Sequence, residues 1–207
     1  MANYHGPVCR FCRREGAKLY LKGEKCYTKC TLDRRAFAPG QHGLARRRKT
    51  SDYGLQLRAK QKARRLYGLL EGQFRNYFDA AEREPGVTGL NLLRHLEMRL
   101  DNVVYRLGLG SSRKQSRQLV SHRHFEVNGR VVNIPSFKVK VGDQVKVRDS
   151  GSDGVIEIAL DASKSRVVPS WLSFNEEEKS GKVLSLPDRG EMETGVEEHL
   201  IVEFYSR

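Results

Sequence analysis

Apolar positions are sparse through the first fifty residues, then fall into three helical stretches and finally into short alternating ones. From Ser51 to about Tyr67, Leu55, Ala59, Ala63 and Leu66 recur at spacings of four, four and three. That pattern predicts an amphipathic helix with Ser51 or Asp52 as N-cap. A second helix is predicted over Glu71 to Glu84, stopped by Pro85-Gly86. A third runs from about Thr88 to Leu107 on a stripe of Leu93, Leu96, Leu100, Val103, Val104 and Leu107. Gly108-Leu109-Gly110-Ser111 breaks it. Ser112 can then cap a short helix through Ser121, which makes an αα-hairpin.

The period changes to two at Phe125. Asn128-Gly129 stands between alternating residues that end at Val132, a strong hairpin signal because both turn positions need positive φ. Lys138 to Val147 adds a turn at Gly142-Asp143 and another alternating strand. Beyond Asp149, residues 151–165 read as helix or loop, and residues 171–174, 183–186 and 200–204 as short strands or extended segments. The fold class expected is α+β. Its parts are a Cys-rich basic segment over 1–50, a helical domain over 51–97, an αα-hairpin with a small twisted sheet over 98–165, and a C-terminal segment over 166–207 that returns to pack on the helical domain.

Charge narrows the partner. With 38 Lys and Arg against 25 Asp and Glu the net charge is +13, and a chain so basic calls for a polyanion. No apolar stretch nears the ~18 residues of a membrane span, and the first residues lack the apolar core of an export signal. Nucleic acid is therefore the expected partner, with no membrane. The charge is uneven: residues 1–65 are strongly basic, the middle moderately so, and residues 149–207 acidic. Phosphate repels the acidic end, so Glu176, Glu177, Glu178, Glu197 and Glu198 are candidates to face a basic protein neighbour.

Four cysteines, Cys9-x2-Cys12-x13-Cys26-x3-Cys30, form two close pairs across a charged loop. Such spacing suits one structural, tetrahedral zinc, and a metal would supply stability that this segment lacks in apolar residues. The lysines and arginines around them are expected to favour thiolate over thiol. An iron–sulfur cluster, two disulfides and unliganded thiols are the alternatives.

A basic track follows. Arg46-Arg47-Arg48-Lys49 leads into Arg58, Lys62 and Arg65 on one face of the first helix. In the αα-hairpin, Arg113 and Arg117 lie four apart near the Ser112 cap and the Asn128-Gly129 turn. A surface of this kind grips RNA by phosphates and 2′-hydroxyls. The stretch Met98 to Gly108, then Ser112-Arg113, Ser116 to His122, and Val127 to Val132, resembles the RNA-binding module named after the ribosomal protein S4 family. Gly6-Pro7-Val8-Cys9-Arg10, Pro39-Gly40-Gln41-His42-Gly43, Ser51-Asp52-Tyr53-Gly54, Gln73 to Phe78 and Glu198 to Arg207 are similar to the bacterial-type members of that family, so the likeness covers nearly the whole chain.

The resemblance implies a structural constituent of the small ribosomal subunit. It would bind the 5′ domain of 16S rRNA, nucleate 30S assembly and, with ribosomal protein S5, contribute to translational accuracy. Ribosomal protein S3 and the messenger RNA entrance would lie nearby. It also implies the zinc-containing, four-cysteine form of the family, in a cytoplasmic ribosome or a plastid one. The RNA-contacting residues expected are Arg10, Arg13, Arg14, Arg34, Arg35 and His42 in the head, the run Arg46 to Lys49 (Arg47 and Arg48 included), the helix stripe, and Ser112, Arg113, Arg117, His122, His124, Asn128 and Arg130.

Two other readings compete. Asp101 is placed like the catalytic aspartate of some RNA-modifying enzymes, but no catalytic constellation, phosphate loop or small-molecule site accompanies it. A zinc-dependent DNA-binding regulator would fit the cysteines, but no dimerisation repeat is present.

Overall fold

Two helices start at their predicted serine caps in the computed structural model, which describes residues 3–45, 49–148, 153–163, 166–192 and 195–206. These residues form two compact units: those within 1–92 and 194–207, and those within 93–193.

In the first unit, three short helices carry the cysteine segment: α1 (Cys9–Glu15), α2 (Lys25–Thr28) and α3 (Thr31–Arg34). The Ser51 hydroxyl accepts from the Gly54 N–H at 3.2 Å and opens α4 (Asp52–Leu66). Ala59, Ala63 and Leu66 are buried as predicted, whereas Leu55 is 48% exposed. The inward face is rotated towards Gln56 and Lys60, and it tolerates them because each finds a partner. Gln56 Nε2 donates to Glu203 at 2.8 Å, and the Lys60 ammonium donates to Glu71 at 2.6 Å while lying 4.3 Å from the Phe204 ring. α5 (Glu71–Arg83) buries Phe74, Phe78 and Ala81.

The chain end corrects one expectation. Residues 200–204, read as extended, lie in α10 (Glu198–Tyr205), which packs on α4. Their β-forming side chains misled by composition. The helical spacing shows in Ile201, fully buried, and Tyr205, whose ring sits 4.5 Å from Phe78 and whose hydroxyl donates to Glu71 at 2.9 Å.

The predicted third helix is two helices. α6 (Thr88–Glu97) ends, Arg99 turns extended, and α7 (Leu100–Arg106) begins. At the break the Met98 carbonyl and the Leu100 and Asp101 N–H groups hydrogen-bond to a later segment. The Val139 N–H donates to the Met98 carbonyl at 2.9 Å, the Leu100 N–H to Phe137 at 2.9 Å and the Asp101 N–H to Pro135 at 3.1 Å.

The second unit continues with α8 (Arg113–Ser121), capped by Ser112, whose hydroxyl accepts from the Gln115 N–H at 3.3 Å. β1 (Phe125–Val127) and β2 (Arg130–Val131) form the expected hairpin, with Asn128 at φ 50° and Gly129 at φ 75°. β3 (Gln144–Val147) pairs with β1 on one side and β5 (Ser180–Val183) on the other, and β4 (Leu172–Asn175) forms the outer edge. Among the described residues this is one antiparallel five-stranded sheet, larger than predicted, so residues 172–183 belong to it, and of the C-terminal segment only residues 195–206 join the first unit. Residues 151–165, left between helix and loop, contain α9 (Asp153–Ser163). A 3-10 turn covers Arg189–Glu191. Leu100, Val103 and Val104 of α7, with Leu107 just after it, meet Leu119, Phe125, Val145, Trp171 and Val183 in one core. Each such side chain stabilises by about 1.5–3 kcal/mol when fully buried.

Candidate nucleic-acid interface and cysteine site

Cys9 and Cys12 sit one turn apart on α1, Cys26 lies in α2, and Cys30 immediately precedes α3. All four line one cavity of about 10 Å³, room for a single small sphere, together with Lys22, Lys25, Thr31 and Leu32. The Lys22 N–H donates to the Cys26 sulfur at 3.3 Å. No disulfide joins them.

Burial pushes the Cys12 and Cys26 thiols up, and the other cysteines add to it against opposing backbone hydrogen bonds from Leu19 and Lys22. For these two, burial runs against the thiolate-favouring effect expected of the nearby cations. The donor set suits a thiophilic cation: four sulfurs share one small cavity, and a dication would relieve the mutual repulsion of their thiolates. Among the described residues, however, no three His, Cys, Asp or Glu side chains are grouped closely enough to hold a metal as they stand.

The cations of the first unit divide into exposed and engaged. Arg10, Arg14, Arg34, Arg35, His42 and Lys49 are exposed, while Arg46, Arg47 and Arg48 lie outside the described residues. Arg13 is turned inward, donating to the Phe37 and Ala38 carbonyls at 3.0 and 3.3 Å. The predicted stripe on α4 is also tied down. Arg58 and Arg65 both donate to Glu15, at 3.1 and 2.9 Å, and the Arg65 guanidinium stacks 4.5 Å from Phe11. Lys62 donates to the Gly195 carbonyl at 2.5 Å. Burial lowers the Arg65 pKa, with the Glu15 charge opposing. The sequence signal for this clamp was Glu15 itself, the only carboxylate before Glu24.

In the second unit, Arg117 is 8% exposed with its guanidinium 3.6 Å from Asp101, so the expected pair with Arg113 does not form an outward grip. Asp101 also receives Arg99, at 2.6 and 3.0 Å. This buried cluster makes Asp101 a structural counter-ion for two guanidinium groups. Arg113 is half-buried, donating to Asn102 at 2.8 Å and lying over Tyr105 at 4.5 Å. Ser112 is spent on its cap. Asn128 is spent on the two turns: its amide donates to Asp143 and accepts from the Gln144 N–H, both at 2.9 Å.

What remains outward is His122 and Arg130, with His124 half-buried and its ring 6.2 Å from His122. Sequence reasoning missed Lys114, Arg123, Lys140, Lys146 and Arg148, all exposed. The alternation of β3 could have found two of them. Val145 and Val147 point into the core, which sends Lys146 and Arg148 outward. The Arg148 N–H donates to the His124 carbonyl at 2.9 Å, so the two residues are neighbours along the backbone. Glu176, Glu177 and Glu178 are exposed in the turn between β4 and β5. Glu197 and Glu198 belong to the first unit, so the acidic residues form two separate sets.

Residues 3–97 match the family model of the ribosomal protein S4/S9 N-terminal domain, and residues 98–145 match that of the S4 domain. The chain is 61% identical to the small ribosomal subunit protein uS4 of Desulforamulus reducens and 60% identical to that of Pelotomaculum thermopropionicum. It is 57% identical to that of Heliobacterium modesticaldum. In each case 100% of both chains is covered.

Proposed function

The chain belongs to the uS4 family of small ribosomal subunit proteins, and from that premise we propose that it is a primary binder of 16S rRNA, engaging the 5′ domain and orienting RNA helices early in 30S assembly. Family membership makes it a structural constituent of the ribosome and not an enzyme. The observation that carries the RNA reading is the division of its cations. Arg13, Arg58, Arg65, Arg99 and Arg117 are spent holding the protein together, while Arg10, Arg14, Arg34, Arg35, Lys114, Arg123, Arg130, Lys146 and Arg148 face outward. Internal pairing fixes the scaffold, and the outward set supplies phosphate contacts on both units.

Cys9, Cys12, Cys26 and Cys30 would hold one zinc, whose part is to cross-link a segment poor in apolar residues. The shared cavity and the all-sulfur donor set support this. The site of action is a cytoplasmic ribosome. Ribosomal proteins S5 and S3 are the neighbours this reading expects, near the path of messenger RNA, and the exposed Glu176, Glu177 and Glu178 turn suits a basic neighbour. Binding of the purified chain to the 5′ domain of 16S rRNA tests the function, with zinc measured in the same preparation. One zinc per chain and selective binding are expected. Removing zinc, or replacing Cys26→Ser, should loosen residues 3–45 and weaken the RNA complex. Full affinity without any bound metal would overturn the zinc assignment.

A further inference from the structure

Tyr20 and Tyr27 stand with ring centroids 5.0 Å apart and planes tilted by 32°. Both rings are exposed, at 38% and 55%. Each is anchored through a neighbour in the cysteine segment: Tyr20 follows Leu19, which is 2% exposed, and Tyr27 follows the buried Cys26 in α2. Tyr20 holds φ 49°, a left-handed conformation that is sterically costly for a bulky side chain. The surrounding segment keeps it there, which is how strained residues at binding sites persist. Lys22, Lys25 and Lys29 are exposed within two residues of one ring or the other, and Glu24 is the only carboxylate from Lys18 to Cys30.

Two adjacent aromatic rings open to water, with exposed lysines within two residues along the chain, match the way proteins hold unpaired nucleotides. The base stacks on a ring face and the backbone follows the cations. We propose that Tyr20 and Tyr27 form a stacking platform for an unpaired RNA base, with Lys22, Lys25 and Lys29 holding the flanking phosphates. The platform rests on the RNA-binding reading above and adds to it a contact that charge alone does not supply. Stacking is tolerant of base identity, so this site would contribute affinity more than sequence preference.

The test uses the full, zinc-replete chain. One probe is a single-stranded RNA octamer with a central 2-aminopurine, and the other is the 16S 5′-domain fragment. Stacking should quench the 2-aminopurine. Tyr20→Leu and Tyr27→Leu should each weaken octamer binding roughly 5- to 150-fold, abolish the quench together, and leave the salt slope unchanged. Tyr20→Phe and Tyr27→Phe keep the rings and should bind as the parent does. The triple change of Lys22, Lys25 and Lys29 to Ala should instead reduce the slope by about 2.

Leucine variants that bind and quench like the parent would overturn the platform. That is the outcome expected if another protein covers the rings. Phenylalanine variants as weak as the leucine ones would overturn it too, by assigning the effect to the hydroxyls. Thermal melting of each variant shows that its fold is kept. A parent chain that binds the 5′-domain fragment without selectivity would count against the rRNA assignment, while the octamer results would still decide the platform.

Discussion

Asp101 is held between two guanidinium groups in the interior, and its removal would take from Arg99, 1% exposed, the carboxylate it meets at 2.6 Å. Breaking a buried pair in this way costs about 3–5 kcal/mol. Asp101→Ala should therefore lower the urea midpoint of the second unit by a corresponding amount, measured by circular dichroism. Unchanged stability would return Asp101 to the list of functional candidates. Glu71 offers a pH-dependent case. Burial pushes its carboxyl up, but the hydrogen bonds from Lys60 and Tyr205 and the charges of Lys60 and Arg64 outweigh that and hold it below the usual range. A carboxylate depressed in the folded state stabilises above its unfolded value of about 4.3 and loses that contribution as pH falls through the folded value. Acid titration should show Glu71→Gln less stable than the parent at pH 7, with the difference shrinking below about pH 4. At this scale the sequence was legible where a residue acts locally, as Ser51 and Ser112 do as caps. It was not legible where a cation's partner lies far along the chain: nothing in the spacing of Arg58 and Arg65 shows that Glu15 lies beneath them.

Gly181 lets strand β5 pass over α7. A Cβ there would come within 2.5 Å of the Leu107 methyl groups, and Leu107 is 2% exposed with little room to move. Gly181→Ala should cost about 1–3 kcal/mol through overpacking, while Gly72→Ala, on an open face of α5, should cost nothing of the kind. Equal melting temperatures for the two variants would contradict the close packing. Among elements, those with strong periodicity or a turn signature were readable: α4, α5, α8 and the Asn128-Gly129 hairpin. Two failures share one cause, tertiary partners overriding local pattern. The apolar stripe from Leu93 to Leu107 is continuous in sequence, but the backbone on either side of Arg99 pairs with residues 135–139. The Leu200 to Phe204 run looks like a strand, but α4 offers it a helical face.

For the whole molecule, the uneven charge divides the work. The acidic turn at Glu176, Glu177 and Glu178 is exposed in the second unit, and it leads into β5 where Ser180 pairs with Lys146, so it also lies near one outward cation proposed to meet phosphate. Reversing those three charges to Lys should weaken binding of ribosomal protein S5 in a pull-down with the assembled particle and leave rRNA affinity intact or raised. Loss of rRNA affinity instead would remove the turn from the protein-facing surface. The candidate site was half readable in the same way. Basic runs and the four cysteines announce themselves by composition, whereas which cations stay outward depends on folding, as Arg117 and Lys146 show from opposite sides. The measurement that bears most directly on the central claim is equilibrium binding to the 16S 5′ domain over a range of salt, with an equal amount of unrelated folded RNA as competitor. About eight phosphate contacts predict that log K falls by roughly 6–7 per decade of salt, and the complex should survive the competitor. A complex that the competitor abolishes would leave only a basic protein with generic affinity for RNA, and would contradict site-specific rRNA binding.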